Sequence, residues 1–447
     1  MSQPALAAWT TDRRSVGLLG ATAIGIGGMV GGGIFAVLGV ASEQAGSGTA
    51  VAFAVAGVVA ALTAASYARL SVQYQSAGGT VTFVDKVFGV DELTGSLNVV
   101  LWAGYIVTTA LYASAFGNYA ATLFPGGTDP NPILLRVLIA VGVLVPWAIN
   151  LADAALVARS ETVVVAIKLT MLLVVIAAGV PTISPDRVDP AAWPAAGAIL
   201  GAGMLIFVAY EGFELIANAS EDVKDPATTL PRAFALSVGL VILLYIAIAL
   251  VVVGSISPSE IAKSADFALA QAASASLGRF GFVLVSISAV LATFSAINAT
   301  LYGSARLSYT IATEGELPAA LERRTWNQPV GLHITALIGL GMAVALRVAS
   351  ISALASAIFL GVFAVVNAAA FKQAGAGRWP RLVSGSGVIG CVASLAIVVG
   401  RSLAQDPLSM LVLAALLASA LAAEHLVFRR RRRGRGRPPP VGYTGRK

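Results

Sequence analysis

Twelve runs of predominantly apolar residues, each long enough to cross a bilayer as a helix, leave this chain few other ways to fold. They cover approximately 17–41, 49–70, 92–123, 132–150, 158–180, 193–219, 231–254, 280–312, 331–348, 351–371, 382–400 and 407–428. Spanning roughly 30 Å of hydrocarbon takes about 20 apolar residues in a helix. With 57% hydrophobic and 11% charged residues, the 447-residue chain is too apolar for a water-soluble domain of its size. An all-helical, multi-pass membrane protein of about twelve spans is expected. The first sixteen residues are polar and mixed, with no short apolar core ahead of a cleavage site, so no secretory signal peptide is expected.

Lys and Arg are retained on the cytoplasmic side, whereas Asp and Glu count for little. An N-terminus inside puts Arg13, Arg14, Arg69, Lys86, Arg159, Lys224, Arg232 and the later clusters in the cytoplasm, 22 of 29 cations in all. Six fall outside: Arg136, Arg187, Lys263, Arg279, Arg347 and Arg401. The last, Lys168, lies within a span. Both termini are expected in the cytoplasm, in a cytoplasmic (inner) membrane.

The closing segment RRRRRGRGRPPPVGYTGRK, residues 429–447, supplies much of the net charge of +7. Such runs can bind phosphate backbones, but no interleaved aromatics or folded module accompany this one. It reads as a disordered cytoplasmic tail that fixes topology and touches anionic lipid headgroups, with no nucleic-acid role. Cys391 is the single cysteine, so no internal disulfide forms. His333 and His425 lack metal-ligand spacing, and neither a nucleophile elbow nor a phosphate-cradling loop occurs. No enzyme, cofactor or metal is expected.

The first apolar run contains ATAIGIGGMVGGGIFAVLG, in which six of the nine positions from Gly25 to Gly33 are glycine. Close helix packing would use Gly27 with Gly31 and Gly28 with Gly32 as small-xxx-small pairs. Packing needs only one stripe, however, and at about 100° per residue these glycines cover most of the circumference. Each costs about 1 kcal/mol of helix propensity relative to Ala. An unwound segment is the better reading. Backbone freed at membrane depth must be buried in protein or line a watery cavity. Freed N–H groups opening the second half-helix suit a carboxylate, and freed carbonyls ending the first suit an ammonium or cation. A zwitterion fits both.

A carrier built from internal repeats should show a second interrupted helix at the matching place. The sixth run, AAGAILGAGMLIFVAYEGFELIANASEDVKDP, carries Gly197, Gly201, Gly203 and Gly212, with Glu211 and Glu214 inside apolar sequence. Carboxylates in hydrocarbon are paired, protonated or turned to water, and a buried structural hydrogen bond is the plainer account of them. Breaks in runs one and six imply a five-helix repeat, with runs eleven and twelve as additions.

GGMVGGGIF resembles the first-helix signature of the amino acid-polyamine-organocation superfamily, and FVAYEGFELIANASEDVKDPATTLPRA resembles its sixth helix and following loop. YARLSVQYQSAGGTVTFVDKVFG, ETVVVAIKL and FSAINATLYGSARLSYTIATEGELP extend the match through run ten, and the set resembles bacterial permeases similar to the cationic amino acid transporter branch. The resemblance implies a LeuT-like five-plus-five inverted repeat with discontinuous helices one and six. It implies a substrate carboxylate on the backbone amides of Gly31, Gly32 and Gly33. It places the amino group against carbonyls around Met29 and around Val208, Tyr210 and Glu211. Glu211 departs from the uncharged residue of many relatives, which leaves the side-chain pocket open.

Lys168 stands mid-span in VVVAIKLTMLLVVI, too deep to snorkel, so burial beside carbonyls or carboxylates is expected. A simple pair with a glutamate is the alternative. In sodium-coupled proteins of this architecture a sodium ion bridges helices one and eight. The resemblance to some proton-coupled relatives implies that a helix-five lysine, here Lys168, replaces it, with Ser295 or Asn298 as helix-eight partner. The whole reads as a proton-coupled L-amino acid permease working by alternating access. Its organisation is an N-terminal segment 1–16, a first repeat 17–180, a second repeat 193–371, added helices 382–428 and the tail 429–447. An exchanger of cationic amino acids or polyamines is the alternative, and a nontransporting sensor of the same fold a weaker one.

Overall fold

The computed structural model describes residues 14–89, 92–152, 154–313, 317, 319–326 and 328–433. The helices in chain order are α1 (Leu18–Met29), α2 (Gly33–Ala45), α3 (Thr49–Gln73), α4 (Gly79–Phe88), α5 (Glu92–Ala121), α6 (Pro132–Ala152) and α7 (Ala154–Gly179). There follow α8 (Pro185–Val188), α9 (Ala196–Leu205), α10 (Leu215–Asn218), α11 (Pro226–Ser255), α12 (Pro258–Lys263) and α13 (Ala268–Thr313). The chain continues through α14 (Val330–Ala345), α15 (Val348–Lys372), α16 (Arg378–Gln405) and α17 (Pro407–Arg433). Apart from these, β1 (Arg324–Thr325) and β2 (Gln328–Pro329) form a small antiparallel hairpin.

All twelve apolar runs are helical, yet they are not twelve uniform spans. Among the described residues, eight helices are long and apolar enough to cross a membrane, or nine counting one bent pair. Leu18–Met29, Val330–Ala345 and Pro407–Ala422 are shorter apolar helices. Gly278, at φ 59° and ψ −150°, separates a first segment of α13 from the long helix that corresponds to run eight. α17 continues through Arg433, into the basic segment, while residues 434–447 and Arg13 lie outside the described residues.

Runs one and six are the interrupted ones. α1 ends at Met29, Val30 takes φ −80° and ψ 49°, and α2 starts at Gly33. α9 ends at Leu205, and the Ala196–Leu205 and Phe207–Asn218 segments are bent by 49°. The two breaks meet back to back. A Cβ on Gly28 would lie 2.5 Å from Gly212 O, and one on Gly212, whose φ is +113°, would lie 2.4 Å from the Gly28 carbonyl carbon. Glycine is thus required at both positions by close backbone approach, and at Gly212 by its dihedral as well.

Around this crossing α3 packs along α11, α5 along α13 and α15 along α16. One end of the bundle is drawn together by the loop motifs. Val16 N donates to Asp222 O at 3.0 Å and Lys224 N to Val16 O at 2.9 Å, joining the approach to α1 with the segment after α10. Ser76 N donates to Ser220 Oγ at 3.1 Å, and the left-handed Gly79 (φ +47°) sits against Asn218.

Candidate functional site

The glycines of run one divide between two tasks. Gly25, Gly27 and Gly28 are still helical, and a Cβ at Gly25 would meet Ile216 Cδ1 at 2.6 Å, so part of the cluster serves packing. Gly31 and Gly32 form the break and Gly33 opens α2. A Cβ on Gly31 would meet Ala296 Cβ at 3.2 Å, one on Gly33 would meet Ala209 Cα at 3.1 Å, and one on Gly32 would meet Tyr112 Cδ1 at 2.4 Å. The unwound backbone therefore lies between α13, the α9 break and the Tyr112 ring of α5.

Each carbonyl freed by a break needs a donor. Val30 N closes the last turn of α1 onto Ile26 O at 2.8 Å, so the carbonyls from Gly27 onward face the interruption. Lys168 Nζ of α7, 3% exposed, donates to Gly27 O at 2.9 Å. Tyr245 Oη of α11 lies 2.7 Å from Met29 O and 3.1 Å from Ala209 O, so one hydroxyl serves the carbonyls of both broken helices. On the other side, Ser352 and Ser356 of α15 donate to Leu205 O at 2.7 and 2.8 Å, and Val208 N donates to Ser356 Oγ at 3.0 Å.

The carboxylates of run six are buried here too, Glu211 at 6% and Glu214 at 1% exposure. Tyr112 Oη donates to Glu211 Oε2 at 3.0 Å. Gly212 N donates to Glu214 Oε2 at 2.8 Å, while Glu214 Oε1 is buried with no hydrogen-bond partner among the described residues. Tyr210 turns away from the break: its hydroxyl donates to Phe53 O of α3 at 2.8 Å.

Of the residues singled out in the sequence, Met29, Gly31, Gly32, Gly33, Val208, Glu211 and Lys168 gather around the crossing. Ser295 is half-buried on α13, and the residue of that helix against Gly31 is Ala296. Asn298 is engaged elsewhere, its Oδ1 accepting from Asn150 Nδ2 of α6 at 2.7 Å. Tyr112, Tyr245, Ser352 and Ser356 escape a reading of the sequence. For Tyr245 a signal exists, since it is the one hydroxyl-bearing residue in the apolar stretch GLVILLYIAIALVVVG.

The sequence pattern of the family described as amino acid permease matches residues 16–399. The chain belongs to that family. The Escherichia coli (strain K12) inner membrane transport protein YbaT is 38% identical over 80% of this permease and 84% of its own length. Cationic amino acid transporter 9 of Arabidopsis thaliana is 30% identical over 69% of this chain and 57% of its own. Large neutral amino acids transporter small subunit 2 of Oryctolagus cuniculus is 31% identical over 69% and 60%. Among solved structures, an Eremococcus coleocola manganese transporter mutant matches with TM-score 0.60 at 13% identity, over 94% of this chain and 98% of that one. That likeness concerns the fold alone. The chain is a multi-pass membrane transporter, not an enzyme.

Proposed function

We propose that this permease carries L-amino acids across the cytoplasmic membrane by proton-coupled alternating access, with both termini in the cytoplasm. What supports the reading is the 2.9 Å hydrogen bond from Lys168 Nζ to Gly27 O, at the end of the first half-helix. A charged donor makes a bond roughly twice as strong as a neutral one. With its proton, Lys168 ties α1 to α7; without it, the tie weakens and α1 is freer to swing. Proton gain and loss thereby bias the two access states, as differential binding must.

The substrate carboxylate is assigned to the amides of Gly31, Gly32 and Gly33, and its ammonium to the carbonyls around Met29 and Ala209. Tyr112 covers Gly32 and must yield as the carboxylate enters. Selectivity falls to Glu211, whose carboxylate is held by Tyr112. The relatives named for cationic and for large neutral amino acids support an amino acid as cargo. Exchange of cationic amino acids is the second reading, favoured by two buried carboxylates at one break.

The test is a substrate panel in proteoliposomes, run with and without an inward-acid gradient. Accumulation of an L-amino acid only with the gradient is the expected outcome. Exchange against internal substrate, indifferent to the gradient, would favour the second reading.

A further inference from the structure

Two hollows outside the crossing share a corner. The larger, about 430 Å³, lies between α3, α11 and α16 and is lined by Ala61, Ala65, Ala68, Val238, Trp379 and Val383 among others. The smaller, about 250 Å³, is bounded by Gln73 and Gln373 near the ends of α3 and α15. Arg69 and Pro231 line both. The first volume falls in the range of small-molecule sites, roughly 300–1,000 Å³. Alanines on α3 make it a trough: their short side chains leave room that larger residues would fill.

The polar corner is built for an anion. Arg69 Nη1 makes two long contacts, 3.4 Å to Pro380 O and 3.4 Å to Ser384 Oγ. A guanidinium carries five donors, and among the described residues the others meet no protein acceptor. No acidic residue lines either hollow. Arg232 follows Pro231, and Arg378 and Arg381 flank Trp379 and Pro380; all three are exposed, and none of them lines either hollow. Trp379 itself is 75% exposed, an amphipathic ring where interfacial tryptophans of membrane proteins sit. The mouth lies at the end of the bundle assigned to the cytoplasm, where anionic lipid is concentrated in biological membranes.

We infer that this pair of hollows is a binding site for one anionic phospholipid, its phosphate on Arg69 beside Gln73 and Gln373 and an acyl chain in the alanine-floored trough. A planar guanidinium matches a phosphate bidentately. The occupant touches α11 and α16 together; the site does not involve the basic tail, and its placement rests on the cytoplasmic orientation proposed above.

Trp379 supplies the probe. The full chain is reconstituted in two equimolar mixtures, phosphatidylglycerol brominated on the upper acyl chain with plain phosphatidylcholine, and the reverse. Tryptophan quenching is compared with that of Trp379→Phe to isolate Trp379. The expected result is about fivefold preference for phosphatidylglycerol at Trp379, the factor one arginine near an anionic headgroup supplies. Arg69→Gln should reduce it to near unity, and Ala65→Phe, which fills the trough without touching the charge or adding a tryptophan, should lower quenching by either lipid. Equal quenching in the two mixtures, or a preference that survives Arg69→Gln, would overturn the assignment. If Arg69→Gln does not fold, Ala65→Phe decides: undiminished quenching of Trp379 there rules the trough out.

Discussion

Lys168 Nζ donates to Gly27 O at 2.9 Å, joining the middle of α7 to the frayed end of α1. Two residues 141 positions apart in sequence thus close one of the points where the first half-helix would otherwise leave a carbonyl at membrane depth. The neighbouring carbonyl, Met29 O, is closed by Tyr245 from α11. A break that looks weak in the sequence is held by donors from two other helices.

Gly32 faces the Tyr112 ring so closely that a Cβ would sit 2.4 Å from Cδ1. Gly32→Ala should therefore cost about 1–3 kcal/mol by overpacking, read as a lower melting temperature in detergent. A double-mutant cycle with Tyr112→Ala should return most of that cost. Substrate affinity should stay low in the double variant, because the amides would remain shielded by a methyl group. Recovery of both stability and affinity would make packing the sole role of this glycine.

Glu211→Gln keeps an oxygen for Tyr112 and removes the negative charge. Hydrogen bonds to charged groups contribute roughly 1.5–3 kcal/mol, so the ratio of cationic to neutral amino acid affinity should fall about tenfold. Competition assays against one labelled substrate measure this. An unchanged ranking would remove Glu211 from the selectivity pocket.

Tyr245→Phe leaves Met29 O and Ala209 O without their shared hydroxyl, at about 1–3 kcal/mol for a buried acceptor left unpaired. The unliganded variant should melt lower than the parent. Saturating substrate should stabilise it by more than it stabilises the parent, because the substrate ammonium can take up the vacated carbonyls. A smaller ligand-induced shift would instead make Tyr245 a direct partner of the substrate.

Val16→Pro removes the N–H that reaches Asp222 O at 3.0 Å. This bond joins the start of α1 to the segment after the second break, so its loss should favour opening at that end. Cysteine labelling near Gly27 from that side should speed up several-fold, and an unchanged rate would free the bridge of any gating role.

Much of this architecture is legible in the sequence because bilayer thickness and backbone hydrogen bonding act on local stretches. The runs of about 20 apolar residues, the glycines at 31 to 33 and the Glu211–Glu214 interruption are all local signals. Contacts between distant segments leave no such trace. Gly25 and Gly28 have the same composition as Gly31 and Gly32, yet they pack against Ile216 and Gly212, which only the crossing of two helices brings near. Tyr112 and Tyr245 look like ordinary residues of apolar spans, and their roles follow from which carbonyl or carboxylate each hydroxyl meets. Asn298 lies on the helix from which a partner for Lys168 is expected, but the Asn150 carboxamide reaches it instead. Short helices such as Val330–Ala345 also show why a count of apolar runs exceeds the count of full-length spans.

Whether the proton on Lys168 couples the gradient to substrate movement is decided by uptake into liposomes under one gradient at a time. The parent protein should accumulate substrate under an inward-acid gradient and not under an inward sodium gradient. Lys168→Ala should still bind, since the carboxylate contacts are assigned to backbone, and should equilibrate substrate without concentrating it. Sodium-driven uptake by the parent, or acid-driven accumulation surviving in Lys168→Ala, would contradict the mechanism.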